Sequence, residues 1–264
     1  MLKSITGNYI SMRKIFFFSL CIILTTGCSI NRPAIFRPSE KDSQGATIRI
    51  DTCRKAIHLI FSADIIFEGA EPILQTLDKE NVKASFFLTG NCLREEKFKP
   101  VIREIIQKGH YVGGHSDKHL LYASWDDRNQ LLVTPDSLVA DFHQNMVELE
   151  KYGVNISQVH YFLSPYEYYN KESVGLIESQ GQTVINYTAG LRTAADYTTP
   201  DMSSYKSSQE LINQLFAFEA EKGLNGSIIL IHPGTEDSRT DKLYLRLDEI
   251  IRYLKGKGYV FERL

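Results

Sequence analysis

Several features are scarce in this 264-residue chain. Lys and Arg total 30 against 32 Asp and Glu, so the basic surplus that draws a protein to nucleic acid is absent. No nucleic-acid partner is expected. The apolar run from Ile15 to Leu24 is about half as long as a helix needs to cross a hydrocarbon layer of about 30 Å. Gly at 17 and Pro at 8 are too few for a low-complexity or disordered chain. There is no internal repeat, and no Gly-x-Ser-x-Gly elbow surrounds Ser62, which argues against a serine hydrolase. What remains is ordinary globular material, 43% hydrophobic and 23% charged, enough for one α/β domain with a sizeable core.

The N-terminus reads as an address. Arg13 and Lys14 precede the apolar run, which then meets Thr25-Thr26-Gly27-Cys28, and Met12 is an alternative start. This is the layout of an export signal. The small residue before Cys28 resembles the lipobox of bacterial lipoproteins, in which the Cys becomes the lipidated first residue; Thr25 stands where Leu is commoner. A plain cleaved signal or an apolar anchor are the alternatives. Residues 1–28 are assigned to a lipoprotein-type signal ending at Cys28, residues 29–50 to a polar tether, and residues 51–264 to one domain. The expected location is the bacterial cell envelope, lipid-anchored at the periplasmic or outer-membrane face. Removal of residues 1–27 leaves 27 basic against 32 acidic residues, a net charge of −5. In the domain itself, Cys53 lies before one apparent strand and Cys92 after another, so in a parallel sheet they sit too far apart for a disulfide.

Beyond residue 55 short apolar runs alternate with amphipathic stretches. The runs are 56–62, 84–88, 111–114, 160–164, 183–188, 227–232 and 259–262, and Gly follows several of the intervening helical patterns. Strand then helix, about seven times, predicts parallel strands with crossover helices. The fold class is therefore α/β, either a (β/α) barrel of about seven strands or an open doubly wound sheet.

In such folds functional groups gather at the C-terminal strand ends. There the sequence places Asp64, His115 with His119, Pro165-Tyr166-Glu167 and His232. On one helical turn, His115 and His119 would offer two imidazoles to one metal ion, and Asp64 can add an oxygen from a neighbouring strand. Gly113 and Gly114 allow close backbone approach just before the pair. His232 ends an apolar strand, where a core role competes with a catalytic one, and its rim position favours catalysis. His58, His110, His143 and His160 read as structural.

Together these pieces resemble the polysaccharide deacetylases of the NodB-homology type, carbohydrate esterase family 4, over roughly residues 55–264. The resemblance rests on "KASFFLTG" at 83–90, "KGHYVGGHS" at 108–116, the His115-Ser116-Asp117-Lys118-His119 run and Leu230-Ile231-His232. It implies a distorted (β/α) barrel, metal ligation by His115 and His119, and His232 as general acid. The departures fall at catalytic positions. Aligned on Phe61, the family's Asp-Asp pair becomes Ser62-Ala63, with Asp64 one step later, and the Arg before the third-motif Pro becomes Leu163. Asp196-Tyr197 resembles the family's Asp-Trp motif, which would make Asp196 tune His232.

The expected activity is metal-dependent removal of acetyl groups from an envelope or dietary polysaccharide, as N- or O-deacetylation. Asp64, His115 and His119 would hold a divalent ion, zinc or a similar one, with cobalt, nickel and manganese also compatible. Asp64 and His232 are the catalytic candidates, Pro165 and Tyr166 the substrate contacts, with Tyr168 and Tyr169 as further stacking rings. The general base is open between Glu68 and Glu167, and Arg239 with Asp241 either lines the pocket or forms a surface pair. The rival reading is a carbohydrate-binding lipoprotein that keeps the scaffold without turnover.

Overall fold

The computed structural model describes residues 39–264. Cys28, the signal segment and residues 29–38 of the expected tether lie outside the described residues. Residues 39–50 are not tether. They form β1 (Ser39–Lys41) and β2 (Thr47–Ile50), which pair antiparallel.

β3 (Ala56–Ala63) follows, buried along all eight residues. A barrel strand is covered inside by side chains and outside by helices, so it reads as a continuous apolar run. Then come α1 (Ala70–Lys79), β4 (Ser85–Leu88), the short α2 (Gly90–Arg94), α3 (Lys99–Gln107), β5 (Tyr111–Gly114) and α4 (Pro135–Glu150). The chain closes with β6 (Tyr161–Leu163), α5 (Lys171–Glu178), β7 (Thr183–Ile185), α6 (Ser208–Lys222), β8 (Ser227–Ile231), α7 (Leu247–Gly256) and β9 (Val260–Phe261).

The sheet order β2-β7-β6-β5-β4-β3-β8 returns to β2 through the pair Arg49↔Ser227, so the structure is a closed barrel and not an open sheet. Its seven strands are mostly parallel, as expected, but one member differs from the sequence reading. β2 closes the ring, whereas β9 pairs with the first residues of β3, outside the ring order.

Helix ends are set locally. Thr134 caps α4 by accepting the Ser137 N–H, and Asn170–Ser173 and Ser207–Glu210 form reciprocal caps on α5 and α6. α7 buries Leu247, Ile250, Ile251 and Leu254, the i, i+3, i+4, i+7 stripe of a helix laid on a sheet. Each such side chain contributes about 1.5–3 kcal/mol by leaving water. Cys53 and Cys92 are both free, at opposite strand ends. Among the described residues no helix is long and apolar enough to cross a membrane.

Candidate active site

Because β3 to β8 run parallel, their C-terminal ends share one face, and a cavity of about 420 Å³ opens there. Asp64, His115, His119, Tyr166, Glu167 and His232 all line it, with Ser62, Trp125, Tyr197 and Glu236. Pro165 does not; it is buried beneath its turn.

Asp64 sits at the tip of β3. Its Oδ1 accepts from Thr89 Oγ1 at 2.8 Å and Asn91 Nδ2 at 3.1 Å, and Thr89 in turn caps α2 through the Cys92 N–H. The carboxylate is thereby oriented toward the end of β4.

His115 follows β5. Its Nδ1 lies 2.8 Å from the Leu163 carbonyl, which can only accept, so the ring proton is on Nδ1 and Nε2 keeps its lone pair. Burial, with His119 adding, pushes its pKa well below the ordinary imidazole value. The His115 N–H donates to Asn145 Oδ1 at 2.9 Å, while Asn145 Nδ2 donates to the Leu88 carbonyl at 3.1 Å. Gly114 makes this possible, since a Cβ there would lie 2.5 Å from Asn145 Oδ1 and 2.3 Å from Met146 Cε.

Residues 115–119 do not form the helical turn that the spacing predicts. Ser116 and His119 are left-handed, with φ of 75° and 56°, and the loop is fastened from outside by Asp141 on α4. That buried carboxylate accepts from Ser116 Oγ at 2.6 Å and from the N–H groups of Asp117 and Lys118 at 3.0 and 2.9 Å. The two imidazoles still meet, with ring centroids 5.0 Å apart. Burial also lowers the His119 pKa, against the pull of Asp64.

After β6, Tyr166 and Glu167 are consecutive left-handed residues, φ 59° and 52°. Such backbone costs about 1–2 kcal/mol per residue for L side chains. Tyr166 faces outward and packs its ring 4.3 Å from that of His119. Glu167 faces the cavity, its Oε1 3.9 Å from His115 Nε2 and its Oε2 4.0 Å from His232 Nε2. Ser62 Oγ donates to Oε1 at 3.4 Å. Burial raises the Glu167 pKa, opposed by His232 and the Ser62 hydroxyl.

His232 is gripped by Asp196, which lies on a 3-10 turn at Thr193–Tyr197. Burial disfavours its charge, but Asp196 and then Glu167 outweigh that and push the pKa up to about 9. His232 is thus an imidazolium at neutral pH, while His115 is neutral.

Three further expectations are corrected. Arg239 and Asp241 form neither pocket wall nor surface pair: Arg239 is fully buried and donates to the carbonyls of Thr198, Lys206 and Asp241. Glu68 accepts from the Thr235 N–H, Lys242 and the Tyr244 hydroxyl, outside this cavity. Tyr168 and Tyr169 do not line the cavity either; Tyr169 is buried and donates to Asp42. The sequence reading missed Trp125, Asp141 and Asn145. A lone Trp on the segment after His119 was the one available signal for the first; nothing local marks the other two.

The model of the polysaccharide deacetylase family matches residues 49–185. Among curated proteins, an uncharacterised 30.6 kDa protein of Geobacillus stearothermophilus is 24% identical over 83% of this chain and 73% of its own length. A peptidoglycan-N-acetylglucosamine deacetylase of Bacillus cereus is 34% identical over 31% of the chain and 30% of its own. Two solved structures share the fold. A family 4 carbohydrate esterase pseudoenzyme from Bacillus anthracis superposes with a TM-score of 0.66 at 21% identity, over 84% of this chain and 68% of that one. A family 4 acetyl xylan esterase from Clostridium thermocellum, in complex with cobalt, gives 0.62 at 22%, over 79% and 87%. The family model spans more than half of the sequence and falls on the strands that carry Asp64, His115, His119 and Glu167, so the chain belongs to the polysaccharide deacetylase family.

Proposed function

We propose that the cavity hydrolyses acetyl groups from an acetylated polysaccharide, with His232 as general acid and with a divalent ion bound by His115, His119 and Asp64. The observation that carries this reading is the opposite anchoring of two imidazoles in one cavity, His115 Nδ1 on the Leu163 carbonyl and His232 Nδ1 on the Asp196 carboxylate. His115 is held neutral with Nε2 free of its proton, and His232 is held charged by Asp196. Groups pushed apart in this way suit separate ligand and acid roles.

The donor set fits a divalent ion in its chemistry, since two neighbouring imidazoles and a carboxylate line the same cavity. Among the described residues no three His, Cys, Asp or Glu side chains are already drawn together as a site, and Asp64 Oδ1 is engaged by Thr89 and Asn91. Binding would therefore require the three side chains to draw closer together. A bound ion would polarise the acetyl carbonyl and ease deprotonation of water. His232 Nε2, protonated, is placed to give its proton to the sugar nitrogen or oxygen as that leaves. Trp125, Tyr166 and Tyr197, exposed at 60, 47 and 54%, offer ring faces to a sugar at the mouth.

The test is acetate release by the full chain in mild detergent, with zinc, cobalt, nickel or manganese, from chito-oligosaccharides, peptidoglycan and acetylated xylan. Turnover abolished by His115→Ala supports the reading. Oligosaccharide binding without acetate release under every ion supports the binding-protein alternative, which the Ser62-Ala63 and Leu163 departures favour. The same reading places the chain at the cell envelope through lipid on Cys28; labelling by a fatty-acid analogue that is lost in Cys28→Ala checks it.

A further inference from the structure

Deacetylation by water needs a group to take the proton that the attacking water gives up. Three carboxylates line the cavity: Asp64, Glu167 and Glu236. Asp64 Oδ1 is engaged by Thr89 and Asn91, and the proposed function gives this carboxylate to the ion. Glu236 is exposed on the loop after β8. Glu167 lies between His115 Nε2 and His232 Nε2, the two nitrogens that would flank a bound acetyl group.

Three features place it there. Separations of 3.9 and 4.0 Å are too long for direct hydrogen bonds, so the carboxylate is near both rings without being consumed by either. Its turn is left-handed at two successive bulky residues, and strain of this kind persists where the surroundings over-determine the conformation. The surroundings do so here: the Glu167 N–H donates to the Ser164 carbonyl at 3.0 Å, and Asn186 Nδ2 donates to the Glu167 carbonyl at 3.1 Å. Finally, Ser62 near the tip of β3 reaches Glu167 and donates to its Oε1 at 3.4 Å.

We infer that Glu167 is the proton-accepting carboxylate of the reaction, delivered from the turn after β6 to the space above Ser62. The inference rests on the deacetylase reading. In the step it performs, the water oxygen bonds to the acetyl carbon, the carbonyl π pair moves onto the carbonyl oxygen, and one water proton passes to a Glu167 oxygen. In the second step the carbonyl re-forms, the bond from carbon to the sugar nitrogen or oxygen breaks with its pair going to that atom, and His232 Nε2 supplies its proton. Acetate departs, and Glu167 and His232 return to their starting states by exchange with solvent.

The experiment compares the full chain with Glu167→Gln and with the double variant Ser62→Asp/Glu167→Gln. Acetate release is measured alongside calorimetric binding of chito-oligosaccharide to metal-free protein. Glu167→Gln is expected to lower kcat by about 100-fold or more while KM and binding stay within about twofold. The double variant is expected to regain at least about tenfold, because Ser62 already touches the same oxygen and an Asp there returns a carboxylate to that space. If Glu167→Gln does not fold, Glu167→Asp must show the same split, kcat down and binding kept. Wild-type kcat in Glu167→Gln, or a loss of binding that matches the loss of kcat, or no recovery in the double variant, overturns the assignment and leaves the deacetylase reading standing. No acetate release by the wild-type chain with any ion overturns both.

Discussion

Asp196 grips His232 at two points: its Oδ1 lies 2.6 Å from Nδ1 and its Oδ2 accepts the backbone N–H at 2.9 Å. The first contact favours the charged ring and the second fixes the backbone beside it, so one buried carboxylate sets both the charge and the placement of the imidazole. Burial alone would lower the His232 pKa; Asp196, helped by Glu167, raises it to about 9. The proposed acid is therefore loaded below that value and empties as pH rises through it. Asp196→Asn is expected to move the alkaline fall of kcat/KM downward by at least about one pH unit, with roughly tenfold less activity on the alkaline side. Acetate release followed from acid to alkaline pH reads the shift, and an unmoved alkaline limb would remove His232 from the acid role.

Asp141 does for the His115–His119 loop what no residue inside the loop can do. It accepts hydrogen bonds from two backbone N–H groups and a buried hydroxyl while Ser116 and His119 hold left-handed conformations. Asp141→Ala leaves those donors unsatisfied in a buried place, at a cost of about 3 kcal/mol or more. Urea unfolding is expected to show that loss, together with weaker retention of cobalt or zinc. Wild-type stability in this variant would mean that the loop holds its own shape.

The strands were legible because barrel geometry writes them twice: as apolar runs and as turn residues between helices. β3 is the clearest case, since burial on both faces leaves its run unbroken from Ala56 to Phe61 except at His58. β2 was not legible. Its four residues, Thr47–Ile50, carry Arg49 and follow a polar stretch, and the ring closes there through isolated register pairs. The site divides in the same way. The residue types at the strand tips could be read from the sequence, but their conformations could not. The spacing of His115 and His119 suits a helix, yet a carboxylate about one helix further along the chain imposes left-handed turns instead. Glu167 was visible only as an acid near the rim, because its inward aim comes from the Tyr166–Glu167 backbone and from Asn186 after β7.

Trp125 is more than half exposed, yet it is braced. Its ring lies 4.1 Å from that of Tyr168, whose hydroxyl donates to the Ser124 carbonyl and whose other neighbour is the Arg128 guanidinium at 4.7 Å. A prebuilt aromatic face loses little freedom when a sugar stacks on it. Trp125→Ala is expected to raise KM about tenfold for an oligosaccharide while kcat stays within about twofold, since stacking is common to ground and transition states. Initial-rate kinetics separate the two constants. A fall in kcat with unchanged KM would instead tie Trp125 to the chemical step.

His110 governs a different part of the molecule, the junction of α3 with β5. Its Nδ1 accepts the Ala84 N–H at 3.2 Å, so the ring must be neutral there, and burial, then Lys83, depresses its pKa from 6.5 to about 4. The folded value lies below the unfolded one. Stability from this group is complete above about 6.5 and is lost as pH falls toward 4, because only the unfolded chain takes up the proton in that window. With allowance for solvent screening the loss amounts to about 2 kcal/mol. His110→Asn keeps an acceptor for Ala84 but has no proton to gain, so its unfolding free energy is expected to change less between pH 7 and pH 4.5 than that of the wild-type chain. Urea titrations at the two pH values measure the difference, and parallel losses in both proteins would assign the acid sensitivity to the carboxylates instead.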